Sequence, residues 1–330
     1  FVSNRIVSGW EAYPGQLPWQ VALRMVSAQG AVSSCGGSVV HHSWIITAAH
    51  CTALRLTIVV RAGVTSLSTP EYLTESSTWF NYPTYDDFNP GLVQPNDISL
   101  LKLEQRVTFS RKCLLKAIRV QPSAEAFANF DQRILIASGF GRTWTDGPSP
   151  EILNWVYLRG VTNPACGALF GGLITDNTMC ARYYNVTSQS VCQGDSGGPL
   201  VQTEGGEPVL VGVASFVAGG EFGCHSGLPA GFCRVGPFLS WFKEVSGIDF
   251  ENIDSSEEDS TPTEPPTQAP TESPEDESTE KPGEESEEDS GDGEDSGCDE
   301  QCELLKKLDV KVKVHVRMRH RRRHLVRNNA

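Results

Sequence analysis

Near residue 250 the chain loses the means to build a core. Residues 251–297 contain no aromatic side chain, no Leu and no Val, and consist mainly of Glu, Asp, Ser, Thr and Pro. Such a stretch buries too little apolar surface to offset its chain entropy, and its like charges repel. Folding is therefore expected in the first 250 of the 330 residues. Charge divides the chain at the same place. Residues 1–250 carry 18 acidic and 16 basic side chains, a net of −2. Residues 251–300 carry 21 acids and one base, Lys281, a net of −20, and residues 301–330 carry 2 acids and 10 bases, a net of +8. The acidic pI describes the tail, which excludes reading the folded part as an acidic enzyme.

Within 1–250, short β-branched runs recur at 20–26, 37–40, 56–60, 98–103, 133–137 and 209–215, punctuated by Gly, Pro, Asn and Asp. Helical periodicity is almost absent, so the pattern predicts an all-β barrel or sandwich. The exception is Phe238, Trp241, Phe242 and Val245, spaced i, i+3, i+4, i+7 after Pro237. It predicts one amphipathic helix closing the globular part and ended by Gly247. No apolar run reaches the roughly 18 residues of a membrane span. Phe1 is preceded by no Met and followed by no signal-peptide core, as expected of a fragment or of a chain whose signal has been removed.

Eight of the ten cysteines lie in 1–250, and Cys298 and Cys302 lie in the tail. An even count at wide spacing points to disulfides and an oxidising, extracellular compartment. No CxxC pair or His/Cys cluster of zinc-ligand spacing occurs, so no metal is expected. The sequon Asn185-Val186-Thr187 agrees with secretion and makes Asn185 a glycosylation candidate.

Three residues carry candidate chemistry. Ser196 lies in Gly194-Asp195-Ser196-Gly197-Gly198-Pro199, where flanking glycines uncover the hydroxyl and free neighbouring amides to point at one spot. His50 stands in Thr47-Ala48-Ala49-His50-Cys51, and Asp97 opens Asp97-Ile98-Ser99-Leu100-Leu101. Taken singly, these read as a Gly-rich turn, a structural histidine and a strand-edge acid. A buried Asp97 would need a hydrogen-bonding partner, and an imidazole N–H is a good one.

Together, their types, order and surrounding letters resemble the chymotrypsin-like serine endopeptidases, with arthropod chymotrypsins and collagenase-type members suggested by residues 223–229. The motifs Ile6-Val7-Ser8-Gly9, Pro18-Trp19-Gln20-Val21 and Cys35-Gly36-Gly37-Ser38 match as well, so the resemblance covers residues 6–247. It implies two six-stranded antiparallel β-barrels with a C-terminal helix and an active site in the cleft between the barrels. It further implies that Ser196 is the nucleophile, His50 the general base and acid, and Asp97 the group orienting His50. Backbone N–H groups of Gly194 and Ser196 would bind the oxyanion, and Ser215 would hydrogen-bond the buried acid. No cofactor is called for.

The same resemblance implies cleavage after Arg5 by a trypsin-like protease, leaving 1–5 as the remnant of an activation peptide. The freed Ile6 amine would then pair with Asp195. Ser8 stands where Gly is more usual. Implied disulfides are Cys35–Cys51, Cys166–Cys180 and Cys192–Cys224, while Cys113 and Cys233 match no family pair and are either bridged to each other or buried thiols. Phe140 and Phe216 replace the more usual Trp.

The resemblance also implies that Ser190 takes the floor of the primary pocket, with Val217 and Ala230 as walls. Without an acid there, burying a cationic substrate side chain is too costly, so trypsin-like specificity is not expected. An apolar preference is expected, with the chymotrypsin-like reading favoured and an elastase-like one kept open by Val217.

The domain plan is therefore 1–5, the peptidase domain 6–247, a disordered acidic linker 248–300 and a basic tail 301–330. In the tail, Val310, Val312, Val314 and Val316 alternate with Lys311, Lys313, His315 and Arg317. This suits an arm for an anionic matrix or surface, or a solvated tail that collapses on its own linker. Sequence-specific nucleic-acid binding has no support, since the tail has no aromatic residue. The reading is of a secreted endopeptidase acting on proteins or peptides. The alternative is a catalytically inactive homologue that binds through its charged tail, and the presence of His50, Asp97 and Ser196 argues against it.

Overall fold

A computed structural model of the chain describes residues 6–109, 114–219 and 222–253. Expectations for Arg5, Cys113, Cys298, Cys302 and the linker and tail from 254 onward lie outside the described residues.

The elements in chain order are β1 (Trp10–Glu11), β2 (Gln20–Ser27), β3 (Val32–His41), β4 (Trp44–Thr47), α1 (Ala49–Thr52), β5 (Arg55–Ala62), β6 (Tyr72–Ser76), β7 (Thr78–Asn81) and β8 (Ser99–Lys102). There follow β9 (Arg119–Val120), β10 (Ile134–Gly139), β11 (Asn154–Val161), α2 (Asn163–Phe170), β12 (Thr178–Tyr183), β13 (Pro199–Gln202), β14 (Val209–Phe216), β15 (Ala230–Arg234) and α3 (Leu239–Ser246).

Two sheets carry the fold. The second runs β11-β10-β13-β14-β15-β12, and the β11–β12 pairing returns it to its start, closing a six-stranded barrel. The first runs β6-β5-β2-β3-β4-β8-β7. Its two end strands, β6 and β7, are separated only by Ser77, so the covalent chain bends there and joins the ends of the sheet. Ser77 is held at the bend by Glu104, whose Oε1 accepts its N–H at 3.3 Å and its hydroxyl at 3.1 Å. All pairings in the first sheet are antiparallel, whereas the short β9 joins β14 in parallel.

Side-chain alternation decides which face turns inward. In β5, Ile58, Val60 and Ala62 are buried while Thr57, Val59 and Arg61 are half-exposed. In β11, Val156 and Leu158 are buried between half-exposed Tyr157 and Arg159. One apolar cluster fills the first barrel and includes Val21, Leu23, Met25, Ile45, Ile46, Ile58, Val60 and Leu101. A second, with Leu135, Val156, Leu158, Leu200, Val211 and Phe232, fills the other.

The closing helix forms where the periodicity predicts. α3 buries Leu239, Trp241 and Phe242 and ends at Gly247, whose left-handed φ of 76° lets its N–H reach the Lys243 carbonyl at 2.9 Å. Tyr82 stands edge-on to Phe238 and Trp241, at 4.8 and 5.3 Å between centroids, so the helix docks on the first barrel. Each aromatic ring buried there contributes on the order of 2 kcal/mol. The packed chain extends past Gly247. Phe250 is buried against Phe242, and Glu251 accepts the Ser123 N–H at 2.7 Å. The expected linker start at 248 therefore falls inside packed structure that continues to Ile253.

Among the described residues, no helix is long and apolar enough to cross a membrane.

Candidate active site

Where β4 ends, the chain turns through Ala48 into α1, a single helical turn that carries His50. Cys51, next to it, is bridged to Cys35 of β3, which pins this turn to the first barrel. Asp97 lies just ahead of β8, after Asn96 at a left-handed φ of 58°. β8 pairs with β4 in the register Thr47↔Ser99, and this brings Asp97 beside the His50 turn.

Asp97 is almost fully buried, with three hydrogen bonds in compensation. The His50 backbone N–H donates to Oδ1 at 2.9 Å, His50 Nδ1 donates to Oδ2 at 2.7 Å, and the Ser215 hydroxyl donates to Oδ2 at 2.6 Å. Burial pushes the Asp97 carboxyl up, but the His50 charge and these hydrogen bonds outweigh it and hold the group below its ordinary value. Burial likewise pulls His50 down, while the Asp97 charge and hydrogen bond outweigh it and raise the imidazole above 6.5. Tyr85 is buried against Ala49 and Ala53, and burial together with the Asp97 charge raises its hydroxyl pKa.

Ser196 reaches the same place from the second barrel. Its carbonyl accepts the Gly36 N–H at 2.7 Å, and the next residue, Gly197, donates to the Ala214 carbonyl at 2.7 Å. Gly197 sits at φ 75°, where an added Cβ would collide with Thr47 Oγ1, three residues before His50. Ala214 is followed by Ser215, which holds Asp97. Ser196, His50, Asp97 and Ser215 thus share one neighbourhood across the two barrels. No hydrogen bond links the Ser196 hydroxyl to His50 Nε2 in this conformation; such bonds are often long without substrate and tighten when it binds. Gly194 adopts φ 99°, backbone open only to glycine, immediately before Asp195.

The Asp195 carboxylate points inward. Oδ1 accepts the Gly141 N–H and Oδ2 the Cys192 N–H, each at 2.8 Å. Gly139 and Gly141 leave the room it occupies, since a Cβ on either would collide with it. Burial pushes the group up to about 7, only partly offset by those two N–H groups. Nearby, Ile6 and Val7 are fully buried, and Val7 packs on Cys192 and Cys224. Ser8, at φ 60°, hydrogen-bonds Ser188 Oγ at 2.6 Å.

Ser190 is 5 % exposed and Ala230 2 % exposed. Val217 packs on the apolar cluster that contains Ala230 and Val191, the neighbour of Ser190 in the chain. Phe216 lies over Gly231 and meets Phe170 edge-on at 5.3 Å. Asn185 is exposed, together with Val186 and Thr187.

The bridges Cys35–Cys51, Cys166–Cys180 and Cys192–Cys224 are formed. Cys233 is a free, buried thiol, raised by burial and by the Asp97 charge. Cys35, His50 and Cys51 cluster within ligand distance of one another, but both sulfurs are consumed by their bridge. Sequence reasoning missed Gly36, Gly141, Thr47 and Tyr85. The glycines sit in the quoted motifs or beside them, whereas Tyr85 lies among turn residues with no periodic signal.

The trypsin family model matches residues 6–242. A collagenase of Hypoderma lineatum is 33% identical over 248 residues, 75% of this chain and 89% of that protein. Trypsin 5G1 of Aedes aegypti is 36% identical over 251 residues, covering 74% and 86%. Chymotrypsin-like elastase family member 1 of Rattus norvegicus is 32% identical over 248 residues, covering 73% and 89%. Among solved structures, HL collagenase superposes with a TM-score of 0.64 at 30% identity, over 73% of this chain and 98% of that one.

Proposed function

The chain belongs to the trypsin family and is a chymotrypsin-like serine endopeptidase, and from that premise we propose a secreted enzyme activated by cleavage between Arg5 and Ile6, with an apolar preference before the scissile bond. The observation that carries the catalytic assignment is Asp97 Oδ2, which takes hydrogen bonds from both His50 Nδ1 and Ser215 Oγ.

With Asp97 fixing its Nδ1–H, His50 presents Nε2 as a base. Ser196 Oγ attacks the scissile carbonyl as His50 takes its proton, and the carbonyl oxygen becomes an oxyanion between the N–H groups of Gly194 and Ser196. Collapse of that intermediate expels the amine, which takes the proton from His50, and leaves an acyl ester on Ser196. Water repeats the sequence, giving its proton to His50 and releasing the acid and the serine. Asp97 stays ionised and stabilises the imidazolium, as its lowered pKa favours. Losing one oxyanion donor typically costs about 10²–10³ in rate.

Activation has an electrostatic rationale. Among the described residues, no cation accompanies the buried Asp195 carboxyl, which is raised to about 7. An ammonium on Ile6, which exists only after cleavage, would supply one beside an already buried segment. A trypsin-like protease suits the Arg5 bond. For the primary pocket, Ser190, Val217 and Ala230 offer no acid to a Lys or Arg side chain, so Phe, Leu and similar residues are preferred. The names of the relatives span trypsin, elastase and collagenase, and the pocket residues favour an apolar choice over the trypsin-like one. Three disulfides and an exposed Asn185 sequon support secretion and glycosylation.

The test is turnover after limited trypsin treatment, on matched peptides carrying Phe, Leu, Ala or Arg before the scissile bond, with Ser196→Ala alongside. Hydrolysis after Phe or Leu, absent before treatment and in the variant, is expected. Cleavage after Arg alone overturns the pocket assignment, and no turnover with a proven free Ile6 overturns the catalytic one.

A further inference from the structure

The loop 141–148 starts at the Asp195 cradle and ends by gripping a second loop. At its root, the Gly141 N–H donates to Asp195 Oδ1 and the Arg142 N–H donates to the Gln193 carbonyl, both at 2.8 Å. At its tip, the Trp144 ring stacks on His225, with centroids 4.3 Å apart and planes 18° from parallel. Thr145 Oγ1 accepts the Cys224 N–H at 3.0 Å and lies 2.6 Å from His225 Nδ1. With one lone pair taken by Cys224, the Thr145 hydroxyl proton is free to donate to that ring nitrogen. The fit is close, because Gly223, at φ 64°, has no room for a Cβ beside Thr145.

These contacts close a ring. From Gly141 the loop reaches Thr145, Thr145 holds Cys224, the disulfide leads from Cys224 to Cys192, and Asp195 returns to Gly141. The ring encloses the Gln193-Gly194 turn, whose Gly194 adopts φ 99° and has the wide backbone freedom of glycine. Oxyanion donors act only when held within a few tenths of an ångström of where the charge develops. A turn this permissive depends on what fixes its ends. One end is fixed at Asp195; the other is fixed at Cys192, by its hydrogen bonds to Asp195 and, through the disulfide, by whatever holds Cys224.

We propose that Trp144, Thr145 and His225 form a clasp that holds the 192–195 turn in its oxyanion-binding geometry, as positioning residues for hydrolysis. This rests on the assignment of the Gly194 and Ser196 N–H groups to the oxyanion. Their contacts are with one another and with Cys224, not with His50, Asp97 or Ser196, so their effect passes through the disulfide and the loop root.

The experiment compares Thr145→Val, Trp144→Ala and their double variant in the activated full chain. Thr145→Val removes both hydrogen bonds at nearly constant shape, and His225→Phe keeps the stack while losing the ring nitrogen. Each single change is expected to lower kcat about tenfold, with KM within about threefold, as when a transition-state interaction is lost. The double variant should fall less than the product of the singles, because either change opens the same clasp. A rise in KM with kcat intact assigns these residues to the pocket wall and overturns the proposal, as does unchanged kinetics. Hydrogen exchange supplies a readout independent of turnover. Amides of 192–197 should exchange faster in Thr145→Val while those of β10 and β11 do not, and equal protection in the two proteins overturns the clasp even if the parent chain proves inactive.

Discussion

Gly36 donates its backbone N–H to the carbonyl of Ser196 at 2.7 Å and lies face to face with Gly198. A Cβ on Gly36 would come within 3.0 Å of Gly198 Cα and 3.1 Å of Gln20 Nε2. The glycines of the Cys35-Gly36-Gly37-Ser38 and Gly194–Pro199 motifs are thus two sides of one contact between the barrels. Gly36→Ala should push the Ser196 turn away by a few tenths of an ångström while the Cys35–Cys51 bridge keeps the first barrel intact. We expect kcat/KM to fall on the order of 10- to 100-fold, since small misplacements of reacting groups are this costly. Steady-state kinetics beside a thermal melt would check it, and full activity would show that the contact has slack.

The charge partnership of His50 and Asp97 has a definite sign. In the proposed mechanism only neutral His50 can accept the Ser196 proton, and its pKa is raised above 6.5. Activity should therefore fall as pH drops, with a midpoint above 6.5 in kcat/KM. Asp97→Asn removes the charge that raises the pKa, so the residual activity should have its acid limb at lower pH, with kcat reduced about 10⁴-fold. An acid limb that stays in place would mean that a different group controls it.

How far the sequence disclosed this arrangement depended on the kind of signal. β2, β5, β10 and β14 carry β-branched runs and were legible. β13 begins with Pro199, which argues against a strand until it is seen as a first residue that owes no ladder donor. β12, with Thr-Met-Cys-Ala-Arg-Tyr, has no alternation to read because four of its six residues are buried. α2 was missed, although Thr162 caps it and Pro164 lies in its first turn, because Gly167 interrupts an otherwise weak apolar stripe. The proposed catalytic constellation was legible only through its letters, since nothing local predicts that Asp97 and His50 meet. The Trp144–His225 stack had no sequence signal, as two loops distant along the chain supply one ring each.

In the proposed activation, Asp195 would link cleavage to stability. In the structure its pKa is raised to about 7 from an ordinary 3.8. Between those values the folded chain keeps a proton that the unfolded chain releases. Its contribution is therefore fully present below 3.8 and is lost as pH rises towards about 7. An Ile6 ammonium would favour the ionised form and remove that loss. With Ser196→Ala to prevent self-digestion, the uncut chain should lose urea resistance from pH 4.5 to 8 more steeply than the chain cut at Arg5. Parallel curves would count against an Ile6–Asp195 pair.

A second titration sits away from the cleft. His41 is lowered to about 4 by burial, then by His42 and Arg106, while its Nδ1 accepts the Ser43 N–H at 3.2 Å. A histidine held neutral contributes stability that is complete above 6.5 and is lost as pH falls towards about 4. His41→Gln removes the titration. Its melting temperature should therefore decline less than that of the parent between pH 7 and pH 4.5, by a few degrees on the scale of about 2–4 °C per kcal/mol. Identical declines would show that another group governs acid sensitivity.

The proposed primary pocket gives the sharpest reversal. Ser190 is buried beside the cluster that holds Val191, Val217 and Ala230. In the proposed pocket, a Lys or Arg side chain would shed its water with no carboxylate among Ser190, Val217 and Ala230 to meet it, whereas Leu or Phe would gain from burial. We expect the parent enzyme to favour Leu or Phe over Arg by at least about 100-fold in kcat/KM, a difference of roughly 2.7 kcal/mol. Ser190→Asp places a charge at the floor, where it is costly while empty and compensated only by a cationic substrate. Turnover after Leu and Phe should fall, and the Arg-to-Leu ratio should rise by about tenfold or more. Burial also raises the new carboxyl, so the gain for Arg should strengthen with pH as the group ionises. A parent enzyme that already prefers Arg would place the specificity elsewhere than Ser190.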